Sequence, residues 1–490
     1  MPDSVVPSPL TSQDAAPPSR LINLVRGWPA PSLFPIPLLQ RATAATLANP
    51  DIANSAFAYG PDPGHEPLRR ALAEWLTSFY GPAGGGSKIS YKRIAITGGA
   101  SQSLGNILSV YSDPEWTRKI WLVAPAYFLS FRIFEDAGFA NFGDRQKMVA
   151  VPEDDEGVDV ESLRRHIEEC EKRAQKEGDH TPVVKPSRPW AKIYKHIIYC
   201  VPTFANPSSR TTSLKRRKEL VRCARDFDAL VVCDDVYDFL SFPTNEKQME
   251  KQQGGTDKAS LPRPVDLDRT IDGGTERAGA DGFGNVVSNG SFTKIGGPGL
   301  RCGWIEGTEK FAFGIAETGT TKSGGAPSQL VSTFMADLLE TGDLQNHVLS
   351  VLQPAYARRF FKMVSAIEKY LLPLGATMPQ SERQVAGGYF IWISLPGHLL
   401  STDVVQRAKI DQNVVVAPGE MFQIPGDESE VNRFQRQIRL CFAWEDEDQL
   451  SEGVMRLGKV IQELLKEAPQ KGLQHKTESS QNRESVEKFW

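Results

Sequence analysis

The sequence predicts an α/β protein with a large domain built on a mostly parallel sheet covered by helices, and a smaller C-terminal α/β domain. The first observation is a repeated alternation. Short apolar runs ending in small or polar residues recur at 93–99, 119–127, 196–204, 230–237 and 285–292. Stretches with helical apolar spacing fall between or before them, at 66–80, 103–112, 160–177 and 213–227. Strands alternating with helices are the pattern of a parallel sheet wrapped by its crossover connections. The second observation is a change of rhythm after a long helical region at about 327–372. There, strand-like runs at 387–395, 414–419 and 437–444 are interspersed with helical spacing at 402–412 and 447–466. The third is size: 490 residues, 40% of them hydrophobic, suffice for a large core and a second small one. Ligands of such sheets bind at the carboxyl ends of the strands, which is where the unusual residues of this chain fall.

The same reading divides the chain. Residues 1–20 are rich in Pro and Ser and are expected to be disordered, as is the tail 468–490. Residues 21–50 form an N-terminal segment expected to pack on the small domain. Residues 51–345 make the large domain and 346–467 the small one. Within the large domain, 244–284 is rich in Gly, Lys, Asp and Gln and lacks apolar periodicity, which predicts a low-complexity surface insertion. Fifty-six basic residues against 60 acidic ones give a net charge of −4, with no electrostatic case for nucleic acid or a membrane surface. No apolar run reaches the roughly 20 residues of a membrane span. The N-terminus has neither the apolar core of a secretory signal nor an Arg-rich presequence, so a cytoplasmic protein is expected. Six cysteines without a CxxC pair read as reduced core residues, and seven histidines without HxxxH or HxH spacing argue against a metal site.

Chemistry concentrates first in SFTKIGGPGLRCGW, 291–304. A lone lysine is most often a solvated surface residue. Here Lys294 follows a strand, with Ser291 three residues before it and Arg301 seven after it beyond a Gly-Gly-Pro-Gly turn. An amine held against an aldehyde, with hydroxyl and guanidinium donors for a phosphate, needs these groups. In ITGGASQSL, 96–104, a strand opens through two glycines into a helix. Gly99, Ala100 and Ser101 would present backbone N–H groups and the positive end of the helix dipole to an anion; alone this is a weak signal. No GK[ST] follows, so it is not a Walker A loop. In RQIRLCFAW, 436–444, Arg439 lies in a strand-like alternation, and a partly buried arginine needs an anionic partner, whether a ligand or a structural carboxylate.

The 291–304 segment resembles the S-x-x-K-x-x-x-P-G-x-R-x-G signature of fold-type I, class I/II aminotransferases, and further motifs follow in the family's order over residues 22–466. The resemblance implies that Lys294 binds pyridoxal 5′-phosphate (PLP), with Ser291, Arg301 and the 99–101 turn on its phosphate. CDDVYDFL, 233–240, is similar to the D-x-x-Y motif. By that likeness Asp234 keeps the pyridine nitrogen protonated and Tyr237 contacts the 3′-oxygen, with Asp235 the rival carboxylate. VPTFANPSS, 201–209, resembles P-x-x-x-N-P-x-G, which gives Asn206 a hydrogen bond to the 3′-oxygen; Ser209 stands where Gly is usual. In APAYFLSF, Tyr127 would stack on the ring, the bland alternative being an ordinary core tyrosine. YGPDPGHEPLRRAL resembles the family's Y-G-x-x-x-G-x-x-x-L-R segment. It implies that Tyr59 reaches the phosphate of a second subunit, hence a homodimer with shared sites. IRLCF resembles the R-L-x-F motif and would make Arg439 the clamp on the substrate α-carboxylate. INLVRGWPAPSLFP resembles the segment lining the substrate entrance, with Gly27 near the substrate; Trp28 is left open between pocket wall and packing.

The implied reaction moves an amino group from an L-amino acid to a 2-oxo acid such as 2-oxoglutarate in two ping-pong halves, with Lys294 carrying the proton. The segments quoted above most resemble a fungal group in the 2-aminoadipate and aromatic aminotransferase branch, which favours a 2-aminoadipate, aromatic or kynurenine-like donor. Arg20 and Arg26 are conceivable partners for a distal carboxylate. Other PLP enzymes on this fold, such as carbon–sulfur lyases, decarboxylases or aminocyclopropane-carboxylate synthases, share the same Lys, Asp, Tyr and Asn set. A non-enzymatic PLP-binding regulator is a remoter alternative, because only about 20 residues precede the fold.

Overall fold

A computed structural model describes residues 20–81, 88–178, 182–247, 256–379, 384–427 and 433–467. The predicted disordered segments, apart from Arg20, lie outside these residues. The large domain is an eight-stranded sheet. Its order is Ile94–Thr97, Gly303–Glu306, Val286–Ser291, Ala229–Asp234, His196–Cys200, Lys119–Ala124, Met148–Asp154 and Gly157–Val158. Strand Gly303–Glu306 and the edge strand Gly157–Val158 run antiparallel to their neighbours, and the remaining pairings are parallel. Apolar side chains line both faces of the central strands, as two helical layers demand: His196–Cys200 and Ala229–Asp234 are buried at every position. The helices predicted from apolar spacing form, at Glu66–Tyr80, Ala100–Tyr111, Val160–Glu177 and Leu214–Asp226.

The small domain has a three-stranded antiparallel sheet in the order Phe390–Ser394, Gln437–Cys441, Ala417–Pro418, covered by helices Ser401–Gln412 and Glu447–Lys466. The N-terminal segment divides between the two domains. Ile22–Asn23 pairs in parallel with Val414–Val415 of the small domain. Helix Ile36–Ala48 instead lies along helix Gln329–Glu340, tied by Arg41 to Asp337 at 2.6 Å. Its apolar face is satisfied by that neighbour, which apolar spacing alone does not reveal.

The predicted surface insertion needs a larger correction. Residues 248–255 lie outside the described residues, but from 256 on the chain is built into the fold. Helix Pro264–Thr270 buries Pro264 to Asp268. Arg263 is fully enclosed, bonding Asp266 at 3.0 Å and Glu306 at 2.8 Å, with Tyr80 stacked on its guanidinium at 4.0 Å. A polar network in place of an apolar stripe anchors this stretch, so it has no hydrophobic period to read. All six cysteines are free.

Candidate active site

Strand pleating decides which side chains meet. Asp234 pairs in register with Asn289, and Tyr199 with Val232, so Tyr199, Asp234, Asn289 and Ser291 share one face of the sheet. On the opposite face, Asp235 receives the Ser288 hydroxyl at 2.5 Å. The two adjacent carboxylates are thereby separated: Asp234 faces a cavity at the sheet's carboxyl edge and Asp235 faces away from it.

That cavity holds about 220 Å³ and is lined by Gly27, Ala100, Ser101, Tyr127, Asn206, Asp234, Tyr237, Ser291, Lys294 and Arg301, along with Trp28, Tyr199 and Asn289. Lys294 follows strand Val286–Ser291 in a short 3-10 turn that Ser291 caps by accepting the Thr293 N–H at 3.1 Å. Its amine donates to the Gly27 carbonyl at 3.0 Å. Burial lowers its pKa to about 8, against the pull of Asp234. Burial raises the Asp234 carboxyl to about 6, opposed by the Tyr199 hydroxyl, which donates to Oδ2 at 2.8 Å. The other oxygen, Oδ1, is buried with no hydrogen-bond partner.

Across the floor, Gly99 adopts a φ of +105°, which an L side chain resists, and helix Ala100–Tyr111 starts at the next residue. A Cβ on Gly99 would lie 2.9 Å from the Arg301 guanidinium, so only glycine leaves room for that arginine at the helix end. Arg301 is held there by donating to the Gly98 carbonyl at 2.9 Å and the Pro298 carbonyl at 3.0 Å. Arg439 enters from the middle strand of the small domain. It is wholly buried and donates to Asn206 Oδ1 at 2.7 Å and to the Val25 carbonyl at 2.5 Å. Phe390 stacks on it at 4.0 Å, and burial lowers its pKa to about 10.

Ser209, where the family has Gly, keeps the left-handed conformation with a φ of +61°. Its hydroxyl donates to the Phe390 carbonyl at 2.5 Å, so the turn after Pro207 is kept and tied to the small domain. Of the predicted residues, Gly99 and Arg439 adjoin the cavity without lining it, Gly99 beside Arg301 and Arg439 behind Asn206. Tyr59 stands apart from the cavity of its own chain: it is 91% exposed, beside Gly324. Tyr199 and Asn289 are site residues that the motifs do not mark; Asn289 shares a strand and its parity with Ser291, whereas Tyr199 reaches Asp234 only through the register of two strands.

A model of the family "Aminotransferase class I and II" matches residues 36–457. The chain belongs to the class I and II aminotransferases. It is 33% identical over 453 residues to the uncharacterized protein YER152C of Saccharomyces cerevisiae, covering 90% of this chain and 96% of that one. With the aromatic-amino-acid aminotransferase 1 of Thermococcus litoralis it shares 28% identity over 450 residues, 91% of this chain and 89% of that one. The crystal structure of the α-aminoadipate aminotransferase of Thermus thermophilus superposes with a TM-score of 0.66 at 25% identity, covering 91% and 93% of the two chains. The fold is that of fold-type I aminotransferases, and the enzyme is a PLP-dependent transaminase. The residues present fit the cofactor. An orphaned carboxylate oxygen on Asp234 awaits a cationic N–H, and a partly buried amine stands within the same cavity. The glycine-cleared cradle beside Arg301 suits a phosphate. Among the described residues no helix is long and apolar enough to cross a membrane, and no cluster could hold a metal ion.

Proposed function

We propose that this aminotransferase moves the amino group of an L-amino acid, with a 2-aminoadipate-like or aromatic (kynurenine-like) side chain, to a 2-oxo acid such as 2-oxoglutarate, by a ping-pong mechanism. PLP supplies an aldehyde that exchanges amines and a protonated ring that takes up the electron pair left on the substrate Cα. Lys294 Nζ would hold the cofactor, and once freed its amine would act as the base and acid that moves the substrate Cα proton. Its lowered pKa keeps a substantial neutral fraction near pH 8. Asp234 would accept the ring N–H, Asn206 and Tyr237 would bond the ring oxygen, and Tyr127 would stack on the ring. Ala100, Ser101, Ser291 and Arg301, with Gly99 making room, would hold the phosphate. Arg439 receives the α-carboxylate, and Gly27 borders the substrate. The observation that carries this reading is the convergence of Lys294, Asp234 and the Gly99–Arg301 cradle on one cavity.

The substrate preference rests on the two similar enzymes named above, and a homodimer on the exposed Tyr59. Purified protein is expected to absorb visible light, to lose that absorption with borohydride and in Lys294→Ala, and to release a 2-oxo acid only when an acceptor is supplied. A protein that cannot be loaded with PLP would refute the site assignment. Turnover without any 2-oxo acid acceptor would instead mark a lyase or decarboxylase.

A further inference from the structure

The short turn that carries Lys294 leaves its main-chain oxygen without a local donor. In a helical turn the Lys294 carbonyl would accept from the N–H of residue 297 or 298. The Gly297 N–H goes instead to the Phe292 carbonyl at 3.2 Å, alongside those of Ile295 and Gly296, and Pro298 has no N–H. Tyr389 supplies the missing donor, its hydroxyl bonding the Lys294 carbonyl at 3.1 Å. The Tyr356 hydroxyl lies 3.1 Å from that of Tyr389. A phenol has one proton to give, and that of Tyr389 is committed to Lys294, so Tyr356 donates this second bond. Tyr356 is in turn hydrogen-bonded by the backbone of Ala30, three residues beyond the Gly27 carbonyl that accepts the Lys294 amine. The lysine is thus gripped at both ends, its main chain through two tyrosines and its amine by the same N-terminal segment.

Tyr389 also stands where the two domains meet. It is wholly buried, between strands that belong to different sheets. Strand Val385–Gly387, just before it, pairs antiparallel with Ser241–Pro243 of the large domain, and strand Phe390–Ser394, just after it, is an edge of the small-domain sheet. Gly388, with a φ of +69°, gives its N–H to the Leu240 carbonyl at 3.1 Å, and the Tyr389 carbonyl receives the Phe442 N–H at 2.9 Å. The Tyr389 ring lies 5.3 Å from the Lys294 amine and the Tyr237 ring 5.7 Å, the two rings meeting edge to face at 5.4 Å. A tyrosine that only fills a core needs some acceptor for its hydroxyl. This one meets the same lysine with its hydroxyl and with its ring.

We propose that Tyr389, with Tyr356 behind it, is a positioning residue for Lys294: it fixes the main chain of the lysine turn, so that the amine is aimed into the cavity. This rests on reading Lys294 as the residue that holds PLP, and it adds two residues outside the cavity that set the reach of its amine. A flexible four-carbon side chain keeps its amine at reacting distance only if its root is held still.

The test follows the visible band that forms when the full-length apoprotein is mixed with PLP, as the Lys294 amine condenses with the aldehyde and releases water. In Tyr389→Phe, which keeps the ring, the band is expected to form about 10-fold more slowly, for the loss of one hydrogen bond to a buried carbonyl. Tyr356→Phe keeps that bond and removes only the donor behind it, so the rate should fall about 3-fold. Non-covalent affinity for PLP, measured by equilibrium dialysis, should be equal in Lys294→Ala with and without Tyr389→Phe. A wild-type rate in both tyrosine variants, or an affinity that falls as far as the rate, would overturn the proposal and leave the pair as core packing. A band that forms equally well in Lys294→Ala removes the lysine assignment, and the role of Tyr389 with it. Slowed capture in a protein inactive toward every amino donor keeps Tyr389 as the positioning residue and removes only transamination.

Discussion

Asp234 shows how a site residue is held at a cost to the fold. Its carboxyl is buried on a strand end with one oxygen bonded to Tyr199 and the other unmatched, and burial raises its pKa from 3.8 to about 6. A raised value means the folded chain prefers the protonated carboxyl. That contribution is fully favourable below pH 3.8 and is lost as the pH rises through about 6. At neutral pH the apoprotein therefore carries a penalty of up to about 3 kcal/mol at 1.36 kcal/mol per pH unit. Asp234→Asn should raise the urea midpoint of the apoprotein at pH 7 and lose that advantage at pH 3.5, while weakening PLP retention on dialysis. An apoprotein destabilised by this change at pH 7 would show that the carboxylate is satisfied in the fold. Asp235, on the other face of the strand, belongs to the buried network of Ser288, Arg263 and Asp238, where burial raises its pKa still further. Identical neighbours in sequence thus do different work because a strand turns successive side chains to opposite faces.

At the scale of elements, the short strand Ile22–Asn23 connects the small domain to the chemistry. It pairs with Val414–Val415, and residues just beyond it offer the Val25 and Gly27 carbonyls to Arg439 and Lys294. Helix Glu447–Lys466 supports it through Gly453, where a Cβ would come within 2.9 Å of Ile22 Cγ2 and 3.2 Å of Leu24 Cδ1. Gly453→Ala gains about 1 kcal/mol of helix propensity and meets an overpacking cost of about 1–3 kcal/mol. Its thermal midpoint should therefore drop only slightly. Because the strand must shift to admit the methyl group, kcat/KM should fall by more than the stability change explains. Unchanged kinetics would mean that residues 22–28 adjust independently of the helix. The helix Pro264–Thr270 teaches the converse lesson. Its stretch reads as a polar insertion, yet the Arg263, Asp266 and Glu306 ion network gives it a fixed place in the interior.

At the scale of the whole molecule, the exposed Tyr59 bears on assembly. It stands at 91% exposure outside its own cavity, and Phe57 two residues before it is 71% exposed. If each Tyr59 completes the phosphate site of a partner, two crippled chains can repair each other. Lys294→Ala and Tyr59→Ala proteins, each of low activity, should regain about a quarter of wild-type activity when unfolded and refolded together. That is the share of sites that random pairing in a two-fold dimer leaves intact. Recovery no greater than the sum of the separate activities would place each site within one chain.

The sequence by itself determined the strand–helix alternation, the strands of the C-terminal sheet and most of the identities that gather at the cavity. Apolar period and short-range spacing are local properties, and both survive in a linear reading. Ser291, Lys294 and Arg301 lie within eleven consecutive residues, and Asp234 and Tyr237 within four. Only the tertiary structure decided the rest. It paired Tyr199 with Asp234, set Asn289 beside them, and brought Arg439 to Asn206 and Tyr389 to the Lys294 carbonyl. It also turned a polar stretch without apolar rhythm into an anchored helix. Those outcomes depend on strand register and on which desolvated charge finds which partner, and neither is encoded within a short window of residues.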